Sequence, residues 1–118
     1  MNKTSNRPKK VLIVGTGASG FACALALSSK GTETIIIDKR PEWSVVEKAT
    51  GVSLGTWRLL EPFGIAIPAE VIPMRHFVFY DDNKLVARVP VPNVGGSPSA
   101  HLFPQAELER RMKSALTS

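Results

Sequence analysis

The sequence predicts an α/β fold: a parallel β-α-β unit near the N-terminus, an antiparallel hairpin insertion, and a C-terminal helix. Three observations predict it. Two short apolar runs, Val11–Val14 and Thr34–Ile37, flank a helical stretch; each is too short for a helix and suits a strand buried on both faces. The turn after the first run reads Gly15-Thr16-Gly17-Ala18-Ser19-Gly20, a G-x-G-x-x-G. From Met74 the apolar pattern takes period two about a turn at Asp82-Asn83, which predicts a hairpin and not another β-α-β.

Each residue type in the first unit has a physical task. Gly15 permits a tight exit from the strand, and Gly17, lacking Cβ, lets the backbone approach a pyrophosphate. Gly20 lets the helix lie close to the sheet, a contact that Ala24 and Leu27 continue at i+4 and i+7. The helix is predicted over Ala18–Lys30, ending at Gly31 in a left-handed conformation. First-turn amides, those of Ala18, Ser19 and Gly20 among them, and the positive end of the helix dipole then face the phosphates. The second strand delivers Asp38, 18 residues beyond Gly20, where a carboxylate can accept both ribose hydroxyls of an adenosine. A tight turn alone needs one glycine, and three at these offsets weaken it, so the unit reads as a Rossmann-like dinucleotide cradle.

Lys39 and Arg40 follow the acid; they either touch adenosine or phosphate or are simply solvated. A 2′-phosphate is opposed by the charge of Asp38. Pro41 ends the strand pairing, and Glu42–Ala49 is a polar connector containing Trp43, Val45 and Val46. Ser53 is a predicted N-cap for a short helix with Leu59, Leu60 and Phe63 inward, stopped by Pro62 and Gly64. Pro68 and Pro73 bracket a loop. Asp81 and Asp82 are adjacent acids in a turn, a structural arrangement. His76 beside a strand and His101 in a loop lack partners at metal-ligand spacing, so no metal site is assigned. Asn93–Ser99 reads as a flexible loop. In the last helix Pro104 takes the first position, Glu107 and Glu109 fall early, and Arg110, Arg111 and Lys113 fall late. Leu108, Met112, Ala115 and Leu116 share one inward face, with Gln105 on the same face in the first turn. Its amide needs a partner, either as a first-turn cap or as a contact to a bound cofactor.

At 118 residues the chain is one domain or less. With 43% hydrophobic and 21% charged residues its composition is that of an ordinary globular protein, and no apolar run approaches the ~20 residues of a membrane helix. Residues 1–9 form a basic polar arm without the apolar core of a signal peptide. The single cysteine, Cys23, reads as a small core side chain and excludes an internal disulfide, in keeping with a cytoplasmic protein. The net charge of +5 lies partly in the arm, the other charges are mixed in sign, and no basic stripe interleaved with aromatics is present, so a nucleic-acid partner is not expected.

Taken in order, GTGASGFACALALSSKG, TIIIDKR, GVSLGTWRLLEPFGI, a hairpin and FPQAELERRMKSAL closely resemble the N-terminal part of the single-component FAD-dependent aromatic hydroxylases, flavoprotein monooxygenases of the para-hydroxybenzoate hydroxylase type. The resemblance runs from Lys10 to Leu116. It implies that Gly15, Gly17, Ala18, Ser19 and Gly20 hold the FAD pyrophosphate and Asp38 the adenosine ribose, where the family usually has Glu. It places Lys39 or Arg40 where the family's Arg follows the acid. Lys48 stands near the position of an Arg that covers the pyrophosphate, and Gln105 matches a residue reaching the cofactor near its ribityl and phosphate groups. In the complete enzymes NAD(P)H reduces FAD and O₂ supplies the oxygen that hydroxylates an aromatic ring. The family's second FAD motif, its substrate pocket and the inner strands of its sheet have no counterpart here. Residues 10–118 are therefore expected to be a partial FAD/NAD(P)-binding domain with no substrate domain and no catalytic residue, inactive alone, from a short natural frame or a truncated product. Two alternatives are an NAD-binding module of another oxidoreductase, and a non-catalytic interaction protein whose open sheet edge pairs with another chain.

Overall fold

The computed structural model describes residues 10–41 and 48–118. The basic arm at 1–9 and most of the polar connector, residues 42–47, lie outside the described residues. The described residues form two compact units, one of residues 10–41 with 106–118 and one of residues 48–105.

In the first unit, β1 (Lys10–Val14) and β2 (Glu33–Ile37) pair in parallel, Lys10 opposite Glu33 and Val14 opposite Ile37. Helix α1 (Ala18–Ser28) makes the crossover and buries Phe21, Ala24 and Leu25, an i, i+3, i+4 stripe. The helix stops two residues before Lys30. Gly31 adopts φ +75°, its N–H reaches the Ser28 carbonyl and the Thr32 N–H reaches that of Leu27, the two hydrogen bonds of a Schellman cap. The strands are not buried on both faces as their apolar runs suggest. Exposure alternates, and Leu12, Val14, Ile35 and Ile37 are open, Val14 at 77%. Only the face carrying Ile13 meets α1, and within this unit the described residues supply no second layer for the other. Cys23, expected in the core, is exposed on α1. It falls two residues after Phe21, on the far side of the helix from the buried stripe.

Helix α3 spans Gln105–Leu116, and from Ala106 it belongs to this unit. Leu108 and Met112 are buried as predicted, joined by Ala106 and the carboxylate-bearing Glu109; Ala115 and Leu116 are only half-buried.

The second unit is built on an antiparallel sheet of order β3-β9-β4, with β3 at Ala49–Ser53, β4 at Ile72–Pro73 and β9 at Ala100–Pro104. Pro104 therefore closes a strand, opposite Ala49, and does not open the helix. His101 lies in β9 and is buried, not in a loop. Helix α2 (Leu54–Leu60) follows β3 and runs into a 3₁₀ turn at Glu61–Phe63, which Gly64 ends at φ +78°. Its inward residues are Leu54, Trp57 and Leu60; Leu59, expected inward, is 74% exposed and Phe63 is half-buried. Spacing of i, i+3, i+6 keeps one face, and Leu59 lies about 100° around the axis from Leu60. Trp57 packs edge-on against Phe103, with centroids 5.4 Å apart.

Ser53 caps α2 as predicted, its Oγ accepting the Thr56 N–H at 3.1 Å. Ser53→Ala is expected to cost about 1 kcal/mol of stability, read as a lower urea midpoint with an unchanged slope.

The predicted hairpin is present: β5 (His76–Asp81) and β6 (Lys84–Pro90) pair antiparallel. Asp82 and Asn83, at φ 42° and 62°, supply the two left-handed residues of a type I′ turn. Asn93–Ser99 is not a flexible loop. Here β7 (Asn93–Val94) and β8 (Ser97–Pro98) close a second tight hairpin around Gly95 and Gly96, at φ 59° and 79°. Among the described residues no helix is long and apolar enough to cross a membrane.

Candidate functional site

The G-x-G-x-x-G turn leaves β1 at Gly15, whose φ of +113° is open to glycine and strained for other residues. The Gly15 N–H donates to the Ile37 carbonyl at 2.7 Å, which ties the turn to the end of β2. The other two glycines differ in kind. A Cβ on Gly20 would overlap the Gly15 carbonyl oxygen and stand 3.2 Å from its carbon, so helix and turn touch backbone to backbone there. At Gly17 a Cβ would meet nothing within 4 Å, and φ −76°, ψ 177° is ordinary extended backbone. Gly17 is the N-cap of α1, and no side chain caps the helix. The Phe21 N–H, bonded to the Gly17 carbonyl, begins the helical ladder, so the amides of Ala18, Ser19 and Gly20 precede it. This is a helix N-terminus with its positive dipole end open at one glycine and closed at another. An anion fits such a cradle.

Asp38 stands beside this turn. Its Oδ2 accepts from the Thr16 N–H at 2.8 Å and the Thr16 hydroxyl at 2.7 Å; its Oδ1 accepts from the Arg40 N–H and from Arg40 Nε, both at 2.9 Å. Arg40 Nη2 donates to Oδ2 and to the Thr16 oxygen, each at 3.1 Å. The guanidinium above all, then the Thr16 hydroxyl and the two backbone amides, holds the Asp38 carboxyl well below the usual carboxylate range. Thr16, the first x of the motif, is the site residue that pattern reading passed over; the signal was a hydroxyl between two glycines whose amide had to go somewhere. Arg40 is the carboxylate's partner, with its side chain 38% exposed. Lys39 is exposed. A cavity of about 330 Å³ adjoins the cluster, walled by Phe21 and Ile36 and bordered by Thr16, Asp38, Arg40 and Lys113.

Lys48 and Gln105 meet in the second unit, where the Gln105 N–H donates to the Lys48 carbonyl at 2.9 Å and the Gln105 Oε1 accepts from the Thr50 hydroxyl at 3.3 Å. Among the described residues, the buried His101 Nδ1 and Trp57 Nε1 have no hydrogen-bond partner, and there is no cluster of metal-ligating side chains.

On α3, hydrogen bonds from Arg110 and Arg111 lower the Glu107 carboxyl to about 2. Both Asp38 and Glu107 thus have folded values below their unfolded ones. Their contribution is complete above the unfolded carboxylate range near pH 4 and is lost as pH falls through the folded values. The melting temperature is expected to be level from pH 7 to 5 and to drop between about pH 4 and 2, with Glu107→Gln reducing the drop. Thermal melts across that range check it.

The fold is similar to that of 2-methyl-3-hydroxypyridine-5-carboxylic acid oxygenase, in a single-site mutant, with a TM-score of 0.72 at 17% identity over 94% of this chain and 30% of that one. It is also similar to the flavin-dependent monooxygenase PieE, solved with FAD and substrate, with a TM-score of 0.69 at 26% identity over 92% of this chain and 22% of that one. The chain thus spans less than a third of the length of either. No curated protein matches the sequence. Residues 9–118 match the family described as the FAD binding domain, and with a glycine cradle of the required form at its head, this chain belongs to that family.

Proposed function

We propose that this chain is the part of a flavin-dependent aromatic monooxygenase that grips the adenosine diphosphate half of FAD. The observation that carries the reading is the turn itself: open at Gly17, uncapped at the start of α1, and joined to Asp38 through Thr16. The amides from Gly15 to Gly20, including those of Ala18 and Ser19, take the diphosphate, and Asp38 takes the ribose hydroxyls. Lys39 and Arg40 lie on the adenosine side. Lys48 and Gln105 keep the role that the family resemblance gives them, contact with the cofactor near its phosphates and ribityl chain. Bound FAD supplies the redox chemistry, with NAD(P)H as the donor in the whole enzyme, while these residues bind and orient. Cys23, a lone exposed thiol, suits a reducing cytoplasm.

Titrating FAD with the purified chain tests this. Quenching of flavin fluorescence, saturating at micromolar protein, is expected; none at roughly 100 µM protein would overturn it. A further partner follows from the exposed Leu12, Val14, Ile35 and Ile37: another chain, or another stretch of a longer polypeptide, that covers this sheet.

A further inference from the structure

We propose that Arg40 competes with the nucleotide for Asp38, its guanidinium occupying the places that the ribose diol takes and leaving them when the nucleotide binds. This rests on the assignment of Asp38 to the ribose. A carboxylate offers about four lone-pair positions. Asp38 already receives five donors, from Thr16 N, Thr16 Oγ1, Arg40 N, Arg40 Nε and Arg40 Nη2. A vicinal diol cannot add two more. The two amides are fixed by the backbone, so the donors free to leave are on side chains. Arg40 Nε and Nη2 go one to each carboxylate oxygen, a fork of two donors across Oδ1 and Oδ2. The 2′- and 3′-hydroxyls of a ribose present the same fork. Exchange therefore returns the carboxylate to the same number of donors; Thr16 keeps both of its bonds to Asp38 and loses only the Arg40 Nη2 contact to its hydroxyl oxygen.

The competitor can leave. The Arg40 side chain is 38% exposed, and an ion pair so open to water holds weakly. Until release, only the fraction of molecules with Asp38 open binds the diol, and the apparent affinity is reduced by that fraction. Arg40 then both steadies the empty turn and sets how much the ribose hydroxyls contribute to binding.

Net charge would confuse a simple comparison of Arg40 variants, because ADP is an anion. The ratio of the dissociation constants of 2′,3′-dideoxy-ADP and ADP, measured by calorimetry on the 118-residue chain, removes that effect. A ratio of about 2 is expected for the unaltered chain and about 10 for Arg40→Met, with Asp38→Asn near 1. An Arg40→Met ratio equal to or below that of the unaltered chain overturns the competition while leaving the nucleotide assignment standing. Absence of ADP binding in both proteins overturns the assignment and the competition with it. A second measurement needs no variant. The Arg40 Nε–H resonance of the unaltered chain is expected to lose protection from solvent exchange when ADP is added and to keep it with dideoxy-ADP. The same response to both ligands overturns the proposal.

Discussion

Gly20→Ala is expected to remove a large part of the N-terminal unit's stability. The added Cβ would overlap the Gly15 carbonyl oxygen, with the Gly15 carbon at 3.2 Å and Ile13 Cγ2 at 3.6 Å. Two of these three atoms are backbone, so no rotamer change relieves the clash. Relief requires α1 to move off the turn, or the turn off the end of β2, where the Gly15 and Thr16 amides are bonded to Ile37 and Asp38. Overpacking a rigid site costs about 3 kcal/mol or more, a large part of the margin of a small unit. At roughly 4–8 °C for each kcal/mol, the melting temperature should fall by about 12–24 °C. Circular dichroism melts decide it; a fall of only a degree or two would mean that helix and turn are not in contact at Gly20.

Gly17→Ala should do the reverse. Its methyl group enters open space on an ordinary extended backbone, and stability should stay within about 1 kcal/mol, the small difference between Gly and Ala at an N-cap. Binding should not survive so well. The methyl would stand between the first-turn amides and a diphosphate. Losing one or two hydrogen bonds to a charged group costs about 1.5–3 kcal/mol, or about 10- to 100-fold in FAD affinity. Flavin fluorescence titration beside a matched melt separates the two effects. An unchanged affinity would show that the cofactor does not approach the backbone at Gly17, and would remove the central support of the functional reading. The contrast matters because both residues belong to one motif, yet one glycine is packed against the turn and the other stays open.

How far the sequence could be read followed the range of the interactions involved. β1, α1, β2 and the Gly31 cap were legible because each depends on neighbours within a few residues or on a short crossover. The same holds for Ser53 and for the turn at Asp82-Asn83. The sheet β3-β9-β4 was not legible. Gly51 is paired with Leu102 and Ile72 also meets Leu102, so the partners of β3 lie far along the chain and its own residues show no alternation. Burial was missed for a related reason. Trp57, Glu109 and His101 are inside because of what packs on them, while Cys23 and Leu59 are left exposed by the described residues.

At the site the division is the same. Residue types were legible from the chain alone: glycines at the offsets of a G-x-G-x-x-G, an acid just after β2 and a cation two residues later. Tertiary structure alone decided their connections. It brought Thr16 against Asp38 across the parallel pair, turned Arg40 back onto the carboxylate, and separated the glycine that packs from the glycine that stays open. Spacing fixes how far apart residues are along a strand or helix. Hydrogen bonds and close contacts depend on directions in space, and those are set only when the strands pair and the helix docks.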